Sequence, residues 1–215
     1  MTTYPITLPT ETSSQPISTT FRIRRVIGQS ASPFTGEQQT FRHQGEWWEA
    51  EVTLPPMTHD YAREWVAKLV SMRGVSGQMM LGDWDGRTPR GTASSSAGTP
   101  LVNGASQTGN SLIIDGATAS QTGYLKAGDY IQLGSGISSR LHMVVADANT
   151  DGSGNATLDI EPRLRSSPAD NLPIVVLNSK GVFRLVTNDT EWSTDAVAKY
   201  GITFAVTEYL SWAEV

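Results

Sequence analysis

The segment from Gly45 to Leu54 alternates between apolar and polar residues, which predicts a β-strand. Successive side chains of a strand point to opposite faces of its sheet, so the two adjacent tryptophans cannot enter the same core. One face is apolar and the other mixes a tryptophan with polar residues: Trp48, Ala50, Val52 and Leu54 against Trp47, Glu49, Glu51 and Thr53. Trp47 therefore needs a cover, either from its own chain (the helix described next, or a linker) or from a neighbouring subunit.

One segment has the apolar spacing of an amphipathic helix, and we predict that helix over residues 58–73. Thr58 or Asp60 can cap its start, and Gly74 supplies a stop at its end. Its apolar stripe follows helical spacing and comprises Tyr61, Trp65, Leu69 and Met72, widened by Val66 and Val70. Such a stripe packs one face of the helix on a sheet.

Further strands are predicted on both sides of a central region. FRIRRVIG, residues 21–28, is a half-buried strand, and GQMMLGDWDG contains another. After Lys180, GVFRLVTN and YGITFAVTEYL have the same character, with Trp192 in the turn between them. Both ends of the chain therefore contribute strands of one style.

The central region differs in composition. Residues 87–100 are rich in Gly, Ser, Thr and Pro, and five short strands follow at roughly ten-residue spacing. We therefore predict a mainly β fold with one α-helix. A β-sandwich domain is formed by residues 1–90 and 179–215, residues 91–99 are a linker, and residues 100–178 are an inserted small β-barrel.

Composition narrows the possible functions. The net charge of −5 gives no general attraction to nucleic acid or to anionic membranes. Cysteine is absent, which excludes disulfides, thiolate nucleophiles and cysteine-based metal sites. No run of 18 apolar residues predicts a membrane span, and the polar start of the chain does not have the pattern of a secretory signal.

One turn resembles a calcium-binding loop. Asp147, Asn149 and Asp151 match ligand positions of an EF-hand, but Leu158 stands where the loop needs a bidentate glutamate. The flanking segments are predicted strands, whereas an EF-hand needs helices. The interpretation we favour is a β-hairpin turn rich in Asp, Asn and Gly, without a metal.

Candidate catalytic groups do not form a recognised arrangement. Asp83 and Asp85 could serve as a carboxylate pair of a hydrolase, but two Asp residues in a Gly-rich turn are more typical of turn formation. The three histidines, at positions 43, 59 and 142, lack metal-ligand spacing. Arg22, Arg24 and Arg25 form a basic cluster that is either a solvated strand face or a contact for acidic residues.

Several stretches together resemble the distal tail proteins of long-tailed siphophages and related prophages. The resemblance spans roughly residues 20 to 210. It rests on FTGEQQTFRHQGEWWEAEVTLPPMTHDYAREWVAKLVSMRG, GDWDGRTPRGTA, GTPLVNGASQTG, LKAGDYIQLG, DGSGNATLDIEPRLRSSPADN and GVFRLV, in this order.

The resemblance implies a non-enzymatic virion protein without cofactors, made in the host cytoplasm and located at the tail tip. Proteins of this family form a hexameric ring that joins the tail tube protein to the baseplate or tail-tip hub, and DNA passes through the lumen without specific binding. It also implies a tail-tube-like belt domain and an OB-like or galectin-like inserted domain. In such a ring Trp47, Glu49 and Glu51 are candidate contacts to the next subunit, with Arg22 and Arg24 as candidate partners.

A different class of function remains open from the sequence. The inserted domain could be a carbohydrate-binding module for host polysaccharide, although Tyr124 and Tyr130 are its only aromatic residues and offer a thin stacking surface.

Overall fold

The structure is a computed structural model, and it describes residues 2–9, 16, 18–194 and 199–210. Over these residues the fold is mainly β with one α-helix, which confirms the predicted fold class. The helix α1 spans His59–Ser71. The strands, in chain order, are β1 (Ile6–Thr7), β2 (Ser18–Ala31), β3 (Gln38–Thr53), β4 (Met79–Leu81), β5 (Gly98–Val102), β6 (Gly109–Ala117), β7 (Tyr130–Leu133), β8 (Arg140–Val144), β9 (Ala156–Leu164), β10 (Ile174–Val175), β11 (Gly181–Leu185), β12 (Ser193–Thr194), β13 (Tyr200–Gly201) and β14 (Thr203–Glu208).

The first sheet combines strands from both ends of the chain. Its order is β1-β4-β11-β14-β3-β2, and its strand pairs are antiparallel except for the parallel pair of β1 with β4. The central segment between β4 and β11 contributes no strand to this sheet. β12 and β13 pair separately as a short two-stranded ribbon.

The apolar face of the Gly45–Leu54 segment lies in the core of this sheet. Trp48, Ala50, Val52 and Leu54 are all buried, and Trp48 is only 2% exposed. Trp48 donates a hydrogen bond from Nε1 to the carbonyl oxygen of Leu141 in β8, at 2.8 Å. The tryptophan therefore also ties the first sheet to the second.

Helix α1 covers the core with a slightly different stripe from the predicted one. Ala62, Trp65, Leu69 and Met72 are buried, whereas Tyr61 and Val70 are exposed. Neighbouring residues such as Tyr61 and Ala62 lie about 100° apart around a helix, so the face that buries Ala62 leaves Tyr61 in solvent. The small Ala62 side chain also allows a closer approach of the helix to the sheet. Thr58 is the N-cap residue, but its side chain makes no capping hydrogen bond.

The second sheet is a nearly closed six-stranded barrel of order β10-β7-β8-β9-β6-β5. Its first and last strands approach through a bridge between Leu101 and Pro173 and a hydrogen bond of 3.0 Å from the Val102 amide to the Leu172 carbonyl. The barrel has its own apolar core, to which β6 and β9 contribute most strongly.

The predicted domain limits remain a prediction, and they reach into residues 1, 10–15, 17, 195–198 and 211–215, which lie outside the described part. The predicted linker, residues 91–99, is packed against the barrel. Ala93 lies in the barrel core, and its amide donates to the Tyr124 carbonyl at 3.0 Å. β5 begins within the same segment, at Gly98.

Candidate interaction surface

Strands β2 and β3 continue far beyond the sheet as a two-stranded ribbon. The pairing runs from Ile27 with Arg42 to Ala31 with Gln38, and a turn at residues 32–37 joins the strands. Residues 27–42 are called the arm below. Within the described chain no third strand pairs with the arm, because β14 pairs with β3 only between Glu49 and Thr53. A register shift between Arg25 and Ile27 marks the point where the arm leaves the sheet.

The arm exposes large apolar side chains. Phe34 at the turn is 95% exposed, Phe41 is 66% exposed, and Ile27 is also exposed. An isolated two-stranded ribbon is at best marginally stable in water, and large apolar side chains in solvent add nothing to its stability. The arm therefore carries large apolar side chains that the described part of the chain leaves uncovered.

An ionic cluster fixes the base of the arm to the barrel. This arm-base cluster consists of Arg25, Arg42, Glu46 and Glu161. Arg42 contacts Glu46 in its own strand at 2.6 Å and Glu161 in β9 at 2.9 Å. Arg25 lies 3.4 Å from the Glu161 carboxylate. Since Glu161 belongs to the second sheet, the cluster sets the direction of the arm relative to the barrel.

Glu46 is the buried member of this cluster. Burial raises the pKa of Glu46, but hydrogen bonds from the Arg42 side chain and the Arg163 amide outweigh it, so the net shift of the pKa is downward. The hydrogen bonds from Arg42 to Glu46 and to Glu161 raise the pKa of Arg42. Both groups are therefore charged near neutral pH. The attraction between their opposite charges stabilises the base of the arm.

The outer edge of the first sheet is open along β2. This strand has β3 on one side and, within the described residues, no strand on the other. A long edge strand presents unpaired backbone N–H and C=O groups, which can pair with a strand of another chain. The arm and the β2 edge thus form one continuous candidate interaction surface.

Trp47 lies on the face of the sheet opposite to Trp48 and is half-buried. It lines an open groove of about 490 Å³ together with Val75, Val186 and Leu210. Among the described residues, neither α1 nor the 91–99 segment lines this groove. This groove, lined by both apolar and charged residues, is the second element of the candidate interaction surface.

The charged neighbours of Trp47 pair within one chain. Arg22 and Arg24 each place Nε close to Oε2 of Glu49, at 2.9 and 3.0 Å, because β2 and β3 are paired in this register. Burial raises the pKa of Glu49, but hydrogen bonds from Arg24 and Trp47 lower it more strongly, so its net pKa is lowered. Glu51 is exposed. The expected partnership between these arginines and the acidic face thus exists within the chain, and the role of these residues between subunits stays a prediction.

In the calcium-like turn, side-chain oxygens accept hydrogen bonds from backbone amides. Asp151 accepts hydrogen bonds from the amides of Ser153 and Asn155, at 2.8 and 2.9 Å, and these bonds lower its pKa. Asp147 accepts from the Ala127 amide and Asn149 from the Gly123 amide. The three residues therefore bind different backbone segments and brace the loop between β8 and β9.

The other candidate groups are dispersed. Asp83 accepts a hydrogen bond from the Asp85 amide at 3.1 Å, as a turn-forming aspartate does. His43 lies in an exposed stretch of β3, His59 begins α1 and His142 lies inside the barrel. Within the described residues there is no group of three or more His, Cys, Asp or Glu side chains that could hold a metal ion. No helix of the described chain is long and apolar enough to cross a membrane.

Two features of this surface were missed from the sequence. The arm residues lack an apolar face with a period of two, so only the turn PFTG between stretches of Ser, Gln and Thr indicated a longer hairpin. The arm-base cluster joins residues more than a hundred positions apart, and no local pattern marks it.

Comparison of the chain with protein-family models gave no match, and comparison with curated proteins gave no significant match.

Proposed function

We propose that the chain is a structural subunit of a virion, a distal tail protein that forms a closed ring between the tail tube and the tail-tip hub of a long-tailed phage. The sequence resemblance supplies the class of protein. The observation that carries the proposal is the arm, since an exposed apolar ribbon of this length is suited to contact a neighbouring subunit.

The geometry favours a heterologous contact between copies. The arm and the Trp47 groove are different surfaces of one chain, so the arm of one copy can contact the groove of the next. Contacts of this head-to-tail kind close into a ring when the rotation between copies divides a full turn. The proposed number of six subunits comes from the resemblance.

The acidic character of the chain supports a lumen that passes DNA. A net charge of −5 on each subunit repels the phosphate backbone and adds up around a ring. The alternative function, carbohydrate binding by the inserted domain, stays a prediction, and its two tyrosines are not available for aromatic stacking. Tyr124 is fully buried and donates its hydroxyl to the Ala97 carbonyl, and Tyr130 packs against Trp48 in the first core. Neither ring offers a face to a sugar.

The proposal is tested by removing the apolar side chains of the arm. The double variant Phe34→Ser/Phe41→Ser should abolish assembly while leaving the temperature of unfolding unchanged, because both side chains are exposed in the free chain. Sedimentation velocity measures assembly, and circular dichroism measures unfolding.

Ile113→Ser is the matched control. Ile113 is an exposed apolar residue on β6 of the barrel, away from the arm, and its replacement should leave assembly intact.

Trp47→Ala is expected to weaken assembly from the groove side. If the arm variant assembles as the unmodified chain does, the proposed contact is wrong. In phage particles, an antibody against the chain should label one end of the tail only.

A further inference from the structure

The groove beside Trp47 includes side chains from three neighbouring strands of the first sheet. Arg184 in β11 is paired with Thr207 in β14, and Thr207 is paired with Glu49 in β3. Together with Trp47 and Leu210 they line one open space of about 490 Å³. A cavity of roughly 150 Å³ is enough for a benzene molecule, so the groove has room for an aromatic side chain and the residues that flank it.

Arg184 gives this groove a positive charge without a counter-charge among the described residues. The two carboxylates that line the groove already have arginine partners, since Glu49 lies 2.9 Å from Arg22 and Glu208 pairs with Arg165. Arg184 is exposed and makes no ion pair within the described part of the chain. The groove therefore combines apolar side chains with one cation that can take an acidic partner.

The end of the arm has the complementary features. Glu37 is the one charged residue between Ile27 and Phe41. It is exposed, and among the residues that the structure describes its carboxylate has no ion pair. Phe34 lies at the same turn and is 95% exposed. The arm thus ends in one large apolar ring beside one negative charge.

The arm and the groove of a single chain lie far apart. β3 is one continuous strand from Gln38, next to the arm turn, to Thr53, and Trp47 lies within it. A strand rises about 3.3 Å per residue, so the stretch from Gln38 to Trp47 spans roughly 30 Å. The arm cannot reach the groove of its own chain while β2 and β3 stay paired. A second copy of the chain has to supply the arm that enters the groove.

We infer that the end of the arm binds the Trp47 groove of the next copy. The Phe34 ring packs there against Trp47 and Val186. The Glu37 carboxylate forms an ion pair with Arg184. This inference rests on the proposed ring and adds to it the pair of charges that places one copy on the next, because opposite charges across an interface favour the correct register over others.

Reversal of the two charges tests the ion pair in the full chain. Glu37→Lys and Arg184→Glu should each weaken assembly at least about tenfold in sedimentation velocity, because each brings like charges together. The double variant Glu37→Lys/Arg184→Glu restores opposite charges and should assemble within about threefold of the unmodified chain. Both residues are exposed, so circular dichroism should show an unchanged temperature of unfolding in all three variants.

Asp159→Lys is the matched control for these variants. It makes the same change of charge as Glu37→Lys, but at an exposed position of β9 in the barrel. Assembly of this variant should equal that of the unmodified chain.

The packing of Phe34 is tested by disulfide formation between copies. The chain has no cysteine, so a mixture of the single variants Phe34→Cys and Val186→Cys can form a disulfide only through the introduced residues. We expect a covalent heterodimer of the two variants under oxidising conditions, identified by a mass tag on one of them. A mixture of Phe34→Cys with Ile113→Cys should give no such heterodimer.

The outcomes separate this contact from the ring itself. If the unmodified chain assembles but the single charge reversals do not weaken assembly, the contact is wrong and the ring stands. The same holds if the double variant assembles no better than the single variants, or if Phe34→Cys cross-links equally to both partner variants. If the unmodified chain stays monomeric at concentrations on the order of 100 μM, the contact and the proposed ring are both wrong.

Discussion

Buried polar residues are the positions where the replacement of a single side chain changes the stability of the fold most. His142 is held neutral inside the barrel, and Glu208 is held between the two sheets by its pairing with Arg165. Glu208 is 3% exposed, accepts the Trp48 amide at 3.0 Å and pairs with both terminal nitrogens of Arg165. Residues of this kind tolerate little change, because a replacement leaves a buried group without its partner.

His142 predicts a loss of stability in mild acid. Its pKa in the folded chain, about 4, lies below the usual value near 6.5, so only the unfolded chain gains a proton between these two pH values. Stability therefore falls as the pH drops through this window, by about 2–4 kcal/mol from this group. His142→Gln should flatten that part of the profile in urea unfolding at pH 7 and pH 4.5.

His43→Gln is the control for this measurement, since His43 lies on the exposed stretch of β3 next to the arm. It should retain the pH dependence of the unmodified chain. Equal slopes for the chain and for His142→Gln would show that the buried imidazole does not titrate as the structure requires.

Glu208→Gln should destabilise the fold by about 3 kcal/mol, because it leaves the Arg165 guanidinium without its charged partner in a mostly buried place. Glu51→Gln removes a carboxylate from the exposed face of β3 and should change the free energy of unfolding by less than about 0.5 kcal/mol. Chemical unfolding of both variants compares them directly. Similar values for the two would contradict the structural role of the Glu208–Arg165 pair.

At the level of elements, the strongest sequence patterns predicted the observed structure correctly. The alternation around Trp48 identified β3, and helical spacing identified α1 within a few residues of its observed ends. Patterns failed where an element has no apolar face. The outer part of β3, QQTFRHQ, has Phe41 as its one apolar residue, so it shows no apolar face where the arm leaves the core.

The candidate sites depended on contacts between elements that local patterns do not encode. The pairing of Arg22 and Arg24 with Glu49 follows from the register of β2 and β3. The arm-base cluster follows from the position of Glu161 in β9 beside Arg25 and Arg42. Both required the tertiary structure.

The loop between β8 and β9 is the element whose turn chemistry is tested most simply. Asp151→Ala removes the carboxylate that accepts from two amides and the Asn155 side chain, and should lower the Tm by a few degrees. Asp115→Ala on β6 serves as the control. Since the Asp151 oxygens are used by the loop itself, added Ca²⁺ should leave the Tm of the unmodified chain unchanged. A rise in Tm with Ca²⁺ would restore the metal-binding interpretation.

At the level of the whole molecule, two sheets are joined by Trp48, by the Glu208–Arg165 pair and by the arm-base cluster. These contacts hold the arm at a fixed direction while its apolar residues remain in solvent. In the proposed ring, a surface preformed in this way reduces the entropy cost of assembly.

The central claim, a closed ring of identical subunits, is tested most directly by the mass of the purified full chain in solution. Multi-angle light scattering, with negative-stain imaging of the same fraction, should give about 139 kDa, six times the 23.2 kDa of one chain, and a ring with a central opening. A single species of 23.2 kDa at concentrations on the order of 100 μM, without rings in the images, would contradict the account.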